Sequence, residues 1–411
     1  MSNSLTHTQA PLTAANHTNM KKTIQCSSCI MDTNDDPHLK FDENGVCSYC
    51  LIYEEDKRLL VKTGEEATQA INYTIKNIKD YGKSRKYDCL IGLSGGVDSS
   101  YVAYMAKQYG LRALCIHFDN GWNSEMAVMN IHNIVNKLGF DLNTYVIDWE
   151  EFKDLQLAYL KASVIDIEVL TDHAIYGSMF KIAKENDIKY VLGGHNVVTE
   201  GILPYHWTYD KKDYINIKAI HKKYGQKQLK TFPFLDRKMK RFIATSGVEF
   251  VNYLNWLPYV KDEVKALLQK ELDWKDYGGK HYESIWTRFY QGYILPAKFG
   301  VDKRKAHLST LVCSGQMTKE EALNEMKQPA YDPAQLKIDK EFVLKKFGLT
   351  EAEFDALMKL PIRDHREFDT EGSLFHYYPF LLPFRPVWNA FKNMTGKKQE
   401  QKFFELKGQA S

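Results

Sequence analysis

Apolar residues in the middle of the chain fall into short blocks separated by longer amphipathic stretches. The block from Tyr87 to Ile91 is continuous and short, which predicts a buried strand. The residues from Ser99 to Tyr109 place Val102, Met105 and Ala106 on one face, which predicts a helix. The same reading predicts the units of an alternating strand–helix array: strand 87–93, helix 99–109, strand 112–118, helix 124–138, strand 142–147, helices across 150–186 and strand 188–193.

Strands that alternate with helices predict βαβ units with right-handed crossovers, and therefore an α/β fold built on a parallel sheet. In such a sheet a ligand lies at the carboxyl ends of the strands. Beyond residue 200 the pattern is helical and rich in aromatic residues, with helices predicted at 237–254 and 260–272 and another opening at Asp302. Three prolines within 374–391 predict an irregular segment there.

Composition shifts along the chain divide it into six segments. The predicted segments are a disordered arm at 1–20, a four-cysteine metal module at 21–52, a helical connector at 53–80, an α/β domain that binds ATP at 81–200, a helical region for substrate and partners at 201–395 and a polar tail at 396–411.

Overall charge excludes one class of function. The 55 Lys and Arg residues nearly balance the 52 Asp and Glu residues, and a net charge of +3 gives no case for a general nucleic-acid binder. No apolar run approaches the ~20 residues that span a bilayer, and the polar first twenty residues do not resemble a secretory signal. We therefore expect a cytoplasmic protein with no membrane span.

The most informative motif follows the first predicted strand, where glycine and serine residues lead into a helix. Backbone N–H groups converge in such a loop, and the helix N-terminus adds partial positive charge, so the geometry suits phosphate. The motif lacks the Gly-Lys-Ser/Thr end of a Walker A loop. Asp98 has the wrong sign for phosphate, and it fits a nucleotide site if it holds Mg²⁺. The candidate ATP-binding residues in this loop are Ser94, Gly95, Gly96, Val97, Asp98, Ser99 and Ser100.

Two further strand ends supply candidates for the same edge of the sheet. Asp119 follows the strand at 112–118, either as a nucleotide contact or as an Asx turn or helix cap. Gly193 and Gly194 follow the strand at 188–193 and are expected to line the nucleotide cleft, with His195 and Asn196 directly after them. His195 is a candidate catalytic residue, with a structural histidine as the alternative, and Asn196 is a candidate for substrate binding.

Four of the seven cysteines form two Cys-x2-Cys pairs. The spacing of Cys26, Cys29, Cys47 and Cys50 is typical of a four-thiolate zinc module, because each pair grips one metal from a tight turn. An iron–sulfur cluster is the competing interpretation. Disulfides do not suit a reducing cytosol.

The remaining three cysteines have no such spacing. Cys89 and Cys115 lie in predicted strands and read as small core residues. Cys313 would need a neighbouring base to act as a nucleophile, which the sequence alone does not identify.

The loop Ser94–Ser99 resembles the SGGxDS signature of the PP-loop ATP pyrophosphatases, which cut ATP between the α- and β-phosphates and transfer AMP to a substrate oxygen. The narrower resemblance is carried by the four cysteines, the loop, Asp119–Asn123, Gly193–Asn196 and Asp302–Leu308 together. In this combination, over roughly residues 22 to 330, the chain is similar to the N-acetyl sugar amidotransferases of bacterial surface-polysaccharide and nonulosonic-acid biosynthesis.

That resemblance implies a reaction for lipopolysaccharide or O-antigen synthesis. AMP transfer to the acetamido oxygen of an N-acetyl sugar, which we expect to be nucleotide-linked, gives an imidate, and ammonia then displaces AMP to leave an acetamidino group. Lys298 and Arg304 become candidates for binding pyrophosphate or the diphosphate of the sugar nucleotide, with solvated surface charge as the alternative. His307 becomes a candidate proton acceptor.

The sequence contains no recognisable glutaminase motif that would generate ammonia. Neither Cys89, Cys115 nor Cys313 stands in the Gly-x-Cys-x-Gly context of a glutaminase elbow, and residue 2 is serine. The family resemblance implies separate glutaminase and cyclase-like subunits that generate ammonia and deliver it through a tunnel.

Two rival functions stay open. A tRNA-thiolating enzyme also pairs a PP-loop with four cysteines, but it calls for a basic RNA-binding face and usually a catalytic cysteine or cluster site near the nucleotide. A non-enzymatic zinc scaffold that binds nucleotide is disfavoured by Asp98, since binding alone does not require a metal ligand beside the phosphates.

Overall fold

The structure is a computed structural model that describes residues 23–36, 38–279 and 282–371. The predicted arm at 1–20, the irregular segment at 374–391 and the polar tail at 396–411 lie outside the described residues.

A parallel β-sheet forms the centre of the fold. Its strands are β1 Cys89–Gly92, β2 Ala113–Asp119, β3 Asp141–Val146, β4 Tyr190–Leu192 and β5 Glu249–Val251. The order across the sheet is β3-β2-β1-β4-β5, and every neighbouring pair is parallel. The chain thus starts in the middle of the sheet, moves outward to β3, and returns to the other side of β1 through β4. This reversal beside β1 creates a crevice at the carboxyl ends of β1 and β4.

Helices cover both faces of the sheet and extend beyond it. The helices are α1 Ser48–Leu60, α2 Gly64–Gly82, α3 Val97–Gln108, α4 Glu125–Leu138, α5 Trp149–Ala162, α6 Val169–Glu185, α7 Val197–Glu200, α8 Tyr214–Tyr224, α9 Arg237–Ser246, α10 Lys261–Leu272, α11 Ile285–Phe289, a π-helix Tyr290–Phe299, α12 Lys303–Ser314, α13 Lys319–Met326, α14 Pro333–Phe347 and α15 Glu351–Met358. Short 3₁₀ turns occur at Tyr205–Trp207, Tyr253–Trp256 and His365–Glu367.

Side chains of the strands alternate between two cores, as the pleat requires. Cys89 and Ile91 pack with helices α3, α4 and α10 on one face, whereas Leu90 packs with α6 on the other. Cys89 and Cys115 are fully buried, so both act as small core residues, as their strand positions predict. The α/β class with a parallel sheet, an N-terminal group of four cysteines and a helical C-terminal region is confirmed.

One predicted helix is wrong. The pattern at 237–254 reads as a single helix, but α9 ends at Ser246 because Gly247 adopts a left-handed conformation with φ of +68°. The chain then enters β5, which pairs with β4. Periodicity could not detect a strand of three residues placed directly after a helix stop.

The predicted domain boundary at residue 200 stays a prediction. The sheet includes residues beyond position 200, since β5 lies in the segment expected to be helical.

Nothing in the described part of the chain forms a helix both long and apolar enough to cross a membrane.

Candidate nucleotide site and metal centre

The glycine loop has the strand–loop–helix geometry predicted for it. The Ser94 hydroxyl accepts a hydrogen bond from the Gly96 amide at 3.2 Å and lies 3.1 Å from the Ser99 hydroxyl. The Ser100 hydroxyl donates to the Gly96 carbonyl at 2.6 Å. Gly95 has φ of +82°, and a Cβ there would lie 2.6 Å from the Ala127 carbonyl oxygen. The loop therefore requires glycine at position 95.

Helix α3 begins directly after the loop, at Val97. The amides of its first turn have no preceding helical carbonyl to bind, and N–H groups at such a position suit an anion at the carboxyl edge of the sheet. The helix dipole adds positive potential at the same point. The loop thus suits the phosphates of a nucleotide although it contains no lysine.

The end of β4 comes directly against this loop. A Cβ on Gly194 would lie 3.2 Å from both the Asp98 Cβ and the Ser99 amide nitrogen. Gly194 thus packs against the start of α3, where a side chain would meet Asp98 and Ser99. The predicted role of Gly193 and Gly194 in lining a nucleotide cleft stays a prediction.

Asp98 is held by two side chains from other elements. The Asn196 amide donates to its Oδ1 at 3.3 Å, and the phenol of Tyr259 donates to the same oxygen. Asn196 is fully buried and its own Oδ1 accepts from the amide and the hydroxyl of Thr199, so it caps α7 while it orients Asp98. Asn196 was predicted to bind substrate, and in the structure its polar atoms bind protein groups.

Asp119 forms an Asx turn, which is one of the roles predicted for it. Its Oδ1 accepts from the Gly121 amide at 2.9 Å and from the Asn123 side chain at 3.2 Å. Asn123 also lies 3.2 Å from Nε2 of His117. Burial lowers the pKa of His117, which keeps the imidazole neutral beside the strand end.

Lys346 of α14 reaches the same turn, a contact that the sequence did not reveal. Its ammonium group binds the Gly121 carbonyl and lies over the rings of Trp122 and Trp149 at 4.6 and 4.5 Å. Burial lowers the pKa of Lys346, and the charge of Asp119 opposes that shift. A cation from the C-terminal region therefore lies beside the loop that follows β2.

His195 lies at the open end of the crevice. Its side chain is 62% exposed, and Nδ1 lies 3.1 Å from the Glu200 carboxylate. Its place directly after Gly194 keeps it beside the nucleotide loop, and its catalytic role stays a prediction.

Lys298, one of three candidates from the C-terminal region, is bound by backbone carbonyls of the protein. Lys298 donates to the carbonyls of Leu357, Met358 and Leu360 at 2.8 to 3.0 Å, so it caps the end of α15. A lysine that donates to three helix-end carbonyls has all three N–H donors engaged by the protein, and the substrate-binding role of Lys298 stays a prediction.

Arg304 and His307 lie on α12. Arg304 binds Asp302 through both carboxylate oxygens and donates to the carbonyls of Gln328 and Pro329. This pattern fixes the start of α12 and the loop after α13 and does not present a cation to phosphate. His307 Nδ1 lies 3.1 Å from the Thr199 carbonyl, which brings α12 against α7 and makes His307 a neighbour of the residues that hold Asp98.

A layer of aromatic and polar residues covers the glycine loop from the segment after α10. The indole N–H of Trp274 donates to the Gly95 carbonyl at 2.9 Å. Asn130 is fully buried and exchanges two hydrogen bonds of 2.8 Å with the Lys275 backbone. A Cβ at Gly96 would lie 3.1 Å from the Tyr277 hydroxyl. Sequence reasoning missed these residues, because no local motif marks them.

The four cysteines of the N-terminal module are buried, and their sulfur atoms all lie within 4.8 Å of one another. The Sγ distances are 3.8 Å between Cys26 and Cys50, and 3.7 Å from Cys47 to both Cys29 and Cys50. A tetrahedron of bonds of about 2.3 Å, the usual Zn–S length, has edges of about 3.8 Å. The four sulfurs therefore fit one tetrahedral ion, whereas a multi-iron cluster would need them farther apart.

Backbone groups support the same thiolates. The amides of Cys29 and Cys47 donate to the Cys26 sulfur at 3.4 and 3.2 Å, and that of Met31 donates to the Cys29 sulfur at 3.4 Å. Hydrogen bonds from the other cysteines, Cys29 first, hold the pKa of Cys26 well below its usual range. Donors directed at sulfur favour the deprotonated form that binds a metal.

Cys313 of α12 lies against this centre, with its Sγ 3.5 Å from that of Cys50. Other contacts also dock the module on the C-terminal region: Lys319 donates to the Cys26 carbonyl at 2.6 Å, and Lys305 pairs with Asp32 at 2.6 Å. The metal module is thus packed on α12 and α13 and is not an isolated finger.

Two family models match separate parts of the chain. Residues 87–196 match the asparagine synthase family, and residues 283–381 match the family described as "LPS biosynthesis protein WbpG-like, C-terminal domain". The first match covers the glycine loop and β1 to β4, and the second covers α11 to α15.

Individual relatives are more distant. The chain is similar to the tRNA-specific 2-thiouridylase MnmA of Clostridioides difficile (strain 630), with 27% identity over 124 residues, 26% of this chain and 34% of that relative. The match thus spans about a third of that curated relative's length.

Among solved structures, the NH3-dependent NAD synthetase of Campylobacter jejuni subsp. jejuni NCTC 11168 aligns with a TM-score of 0.32 and 14% identity, over 72% of this chain and 98% of that one. The NMN synthetase of Francisella tularensis aligns with a TM-score of 0.35 and 12% identity, over 70% of this chain and 98% of that one.

Proposed function

We propose that the chain is an amidotransferase-like enzyme of the PP-loop superfamily that converts an N-acetyl sugar to an acetamidino sugar in lipopolysaccharide biosynthesis. In this reaction AMP is transferred from ATP to the acetamido oxygen, and ammonia then displaces AMP. We infer that the sugar is nucleotide-linked. One observation carries the proposal: a WbpG-like domain at 283–381 packs its helix α12 against α7, whose cap Asn196 holds the loop residue Asp98.

Activation by AMP explains why an enzyme that acts on an amide would need a loop that binds ATP. The carbon of an acetamido group is a poor electrophile because amide resonance shields it. Attachment of AMP to the oxygen makes a good leaving group, so ammonia can add to the carbon and AMP can depart. In this proposal the N-terminus of α3 and the hydroxyls of Ser94 and Ser99 stabilise negative charge on the phosphates during the transfer.

Magnesium is the cation that the site would need. Asp98 offers a hard carboxylate oxygen beside the phosphate loop, and Asn196 and Tyr259 fix its orientation, so the residues present suit Mg²⁺. The ion would neutralise charge that develops on the departing pyrophosphate. In this mechanism Tyr259 and Asn196 act as positioning residues for Asp98.

Exclusion of water is the other requirement, because water would hydrolyse the activated imidate. Trp274 and Tyr277 cover the glycine loop from one side, with Trp274 buried and Tyr277 partly buried. Lys346 with Trp122 covers the turn after β2 from another side. These contacts give the crevice walls that keep solvent from the reacting groups.

We propose that the four-cysteine centre holds zinc in a structural role. The tetrahedral spacing of the sulfurs supports a single ion, and the complete burial of Cys26, Cys29 and Cys47 leaves no open position for a substrate. The docked position of the module on α12 and α13 supports a role in holding the C-terminal domain in place.

We further propose that separate glutaminase and cyclase-like subunits supply ammonia to the chain. No cysteine of the sequence stands in a glutaminase elbow. Cys313, the one cysteine outside the core strands and the four-cysteine set, contacts Cys50, which gives it no glutaminase setting.

A tRNA-thiolating activity is the rival reaction. Its support is the likeness to a 2-thiouridylase over a third of that protein. The near-balanced charge and the WbpG-like domain favour the sugar reaction.

The deciding experiment is ATP–pyrophosphate exchange by the purified chain with UDP-N-acetylglucosamine and related N-acetyl sugar nucleotides, in parallel with bulk tRNA. We expect exchange with a sugar nucleotide, and, with ammonium present, AMP and a product in which one oxygen is replaced by NH. Exchange with tRNA alone, or release of ADP, would refute the proposal.

A further inference from the structure

Positive charge is concentrated in one part of the chain. Residues 211–241 contain eleven Lys and Arg, nine of them Lys, against two Asp and no Glu, which is a net charge of +9. The whole chain has a net charge of +3, so the remaining residues together are negative. Nine of the eleven cations are exposed, whereas Asp213 is buried and Asp236 is partly buried. The near-balanced total therefore conceals a strongly basic segment.

The structure brings part of this segment against the end of α6, around an open recess. Lys181 and Lys184 of α6 line the recess together with Lys238 of α9, and its volume is about 440 Å³. The ring of Phe234 also lines it, and the Lys218 ammonium of α8 lies 4.7 Å from the centre of that ring. Cations from three helices thus surround one concave surface.

Two further cations extend this surface by one helical turn. Lys222 follows Lys218 by four positions on α8, and Arg241 follows Lys238 by three on α9. Residues at these spacings are neighbours on one side of a helix. We call the resulting set the basic face, and its six members, all exposed, are Lys181, Lys184, Lys218, Lys222, Lys238 and Arg241.

The basic face is not neutralised by carboxylates of the protein. Within the described residues, the salt bridges of segment 211–241 are made by other lysines, which are Lys211, Lys227 and Lys240. Glu185 and Asp236 also line the recess, but the Asp236 carboxylate caps α9 by accepting from the Met239 amide. Positive charge therefore exceeds negative charge at this surface.

The basic face lies away from the nucleotide crevice. Helix α6 leads into β4, so its last turn, which holds Lys184, lies toward the amino end of that strand. The glycine loop instead follows the carboxyl end of β1, which is parallel to β4. A body bound to the basic face would therefore leave the glycine loop uncovered.

Composition indicates which kind of partner this surface fits. No large apolar side chain is exposed within 206–249, a range that the structure describes completely. A protein interface needs an apolar core and is poor in Lys. Nucleic-acid recognition favours Arg over Lys, and stacking of single-stranded bases needs exposed aromatic rings. A negatively charged lipid surface needs neither, because it attracts ammonium groups through the field of many headgroups.

We propose that the basic face docks the chain on an anionic lipid bilayer, with lipid phosphates against its lysines and one headgroup in the recess. The recess is within the range of about 300–1,000 Å³ that is usual for small-molecule sites, so a glycerophosphate group can enter it. The contact would be electrostatic and reversible, since it relies on lysines and not on inserted apolar side chains. It does not depend on the reaction proposed above.

The test is sedimentation of the purified full chain with vesicles of phosphatidylcholine that contain about a third phosphatidylglycerol, at ~0.1 M salt. We expect binding to these vesicles and none to pure phosphatidylcholine. Binding should disappear at ~0.5 M salt, because screening shortens the range of the attraction. A triple variant, Lys181→Gln with Lys184→Gln and Lys238→Gln, should bind about 10²-fold more weakly, since each lysine at a charged surface contributes roughly fivefold.

A second triple variant is the matched control: Lys76→Gln, Lys83→Gln and Lys337→Gln remove the same charge from exposed positions on and beside α2 and on α14. It should bind vesicles like the wild type. Both variants should keep the melting temperature and the rate of ATP–pyrophosphate exchange, because the altered side chains are exposed and lie outside the crevice.

Three results would overturn the proposal. The first is a wild-type chain that does not sediment with the anionic vesicles. The second is equal loss of binding in the two triple variants, which would show an effect of net charge and not of the basic face. The third is a gel shift of bulk tRNA by the wild type that the Lys181, Lys184 and Lys238 variant loses, without vesicle binding by either, which would assign the face to nucleic acid.

Discussion

Tyr259 donates a hydrogen bond to the carboxylate of Asp98 from a position 161 residues further along the chain. The tyrosine follows β5, and Asp98 follows β1, so the contact spans the edge of the sheet where the strands end. Burial and the charge of Asp98 raise the pKa of Tyr259, which keeps the phenol protonated as a donor. The loop residue best suited to hold a cation is therefore oriented by a region outside the motif.

This relationship predicts graded effects on turnover. Asp98→Asn should lower the rate of AMP formation by ~10² or more, since it removes a key electrostatic group. Tyr259→Phe should cost roughly tenfold, because it removes only one orienting hydrogen bond. The measurement is initial rate against magnesium concentration, with Tyr104→Phe on α3 as the control. Near-normal turnover in Asp98→Asn would rule out its role.

The sequence was informative where function depends on local order. The glycine loop and the four cysteines are each marked by short motifs, and the structure shows the predicted strand–loop–helix unit and the predicted cysteine cluster. Tyr259 and Trp274 were not predictable, because their roles arise from contacts 161 and 179 residues apart in sequence. A single aromatic residue in a helical region has no pattern that separates a loop cover from ordinary core.

The roles of charged residues were the hardest to predict from the sequence. A cation near a motif looks the same in sequence whether it binds a ligand or a helix end. Lys298 and Arg304 illustrate this, since both are used by backbone carbonyls or a neighbouring carboxylate. Only the position of α15 relative to the π-helix, which is a tertiary feature, decides the partner of Lys298.

The role of Lys298 gives a test of stability. Lys298→Met should lower the free energy of unfolding by about 1–3 kcal/mol, because it leaves the carbonyls at the end of α15 without donors. Guanidinium denaturation would measure the loss, with Lys345→Met on the exposed side of α14 as the control. If Lys298→Met folded with full stability but raised the KM for the sugar nucleotide tenfold, substrate binding would be the correct role.

The metal centre predicts a stoichiometry and a ligand set. Purified protein should contain about one zinc per chain and no brown chromophore. Cys26→Ser should lose the metal and destabilise the N-terminal module, while ATP binding is retained, since a structural site contributes folding energy. Elemental analysis and nucleotide binding would measure the two effects.

Cys313 is the control for that ligand set. It lies 3.5 Å from Cys50, but it is not one of the four mutually close thiols. Cys313→Ser should therefore keep the metal. Loss of zinc in this variant, or iron and sulfide in the anaerobically purified protein, would show that the assignment is wrong.

His173 predicts a loss of stability in mild acid. Its Nδ1 lies 2.8 Å from the Lys211 carbonyl and its Nε2 accepts from the Leu235 amide at 2.8 Å, so the folded state holds the neutral ring. Burial lowers the pKa of His173 to about 4 from an ordinary value of 6.5. The unfolded chain takes up the proton first as the pH falls below 6.5, so stability declines between pH 6.5 and 4 and levels off below that range.

The expected size is about 2 kcal/mol between pH 7 and pH 5 from this residue. Urea denaturation at the two pH values would measure it. His173→Gln should be less stable at pH 7 but should show a smaller difference between the two pH values than wild type. The same pH response in the variant would mean that another group is responsible.

The source of ammonia gives the last prediction. With no glutaminase elbow in its sequence, the isolated chain should use ammonium and not glutamine, and should form AMP with an acetamidino product. Its rate with ammonium should rise with pH, because only unprotonated NH₃ has the lone pair that attacks the activated carbon. Addition of glutaminase and cyclase-like subunits should confer glutamine dependence. The pH response should then flatten, since ammonia that travels from subunit to subunit would arrive without equilibrating with solvent. Chromatographic assay of AMP and glutamate over a pH series would measure both effects, with an inactive glutaminase variant as the control. Hydrolysis of glutamine by the isolated chain, or a rate with partners that still tracks free NH₃ in solution, would contradict this division of labour.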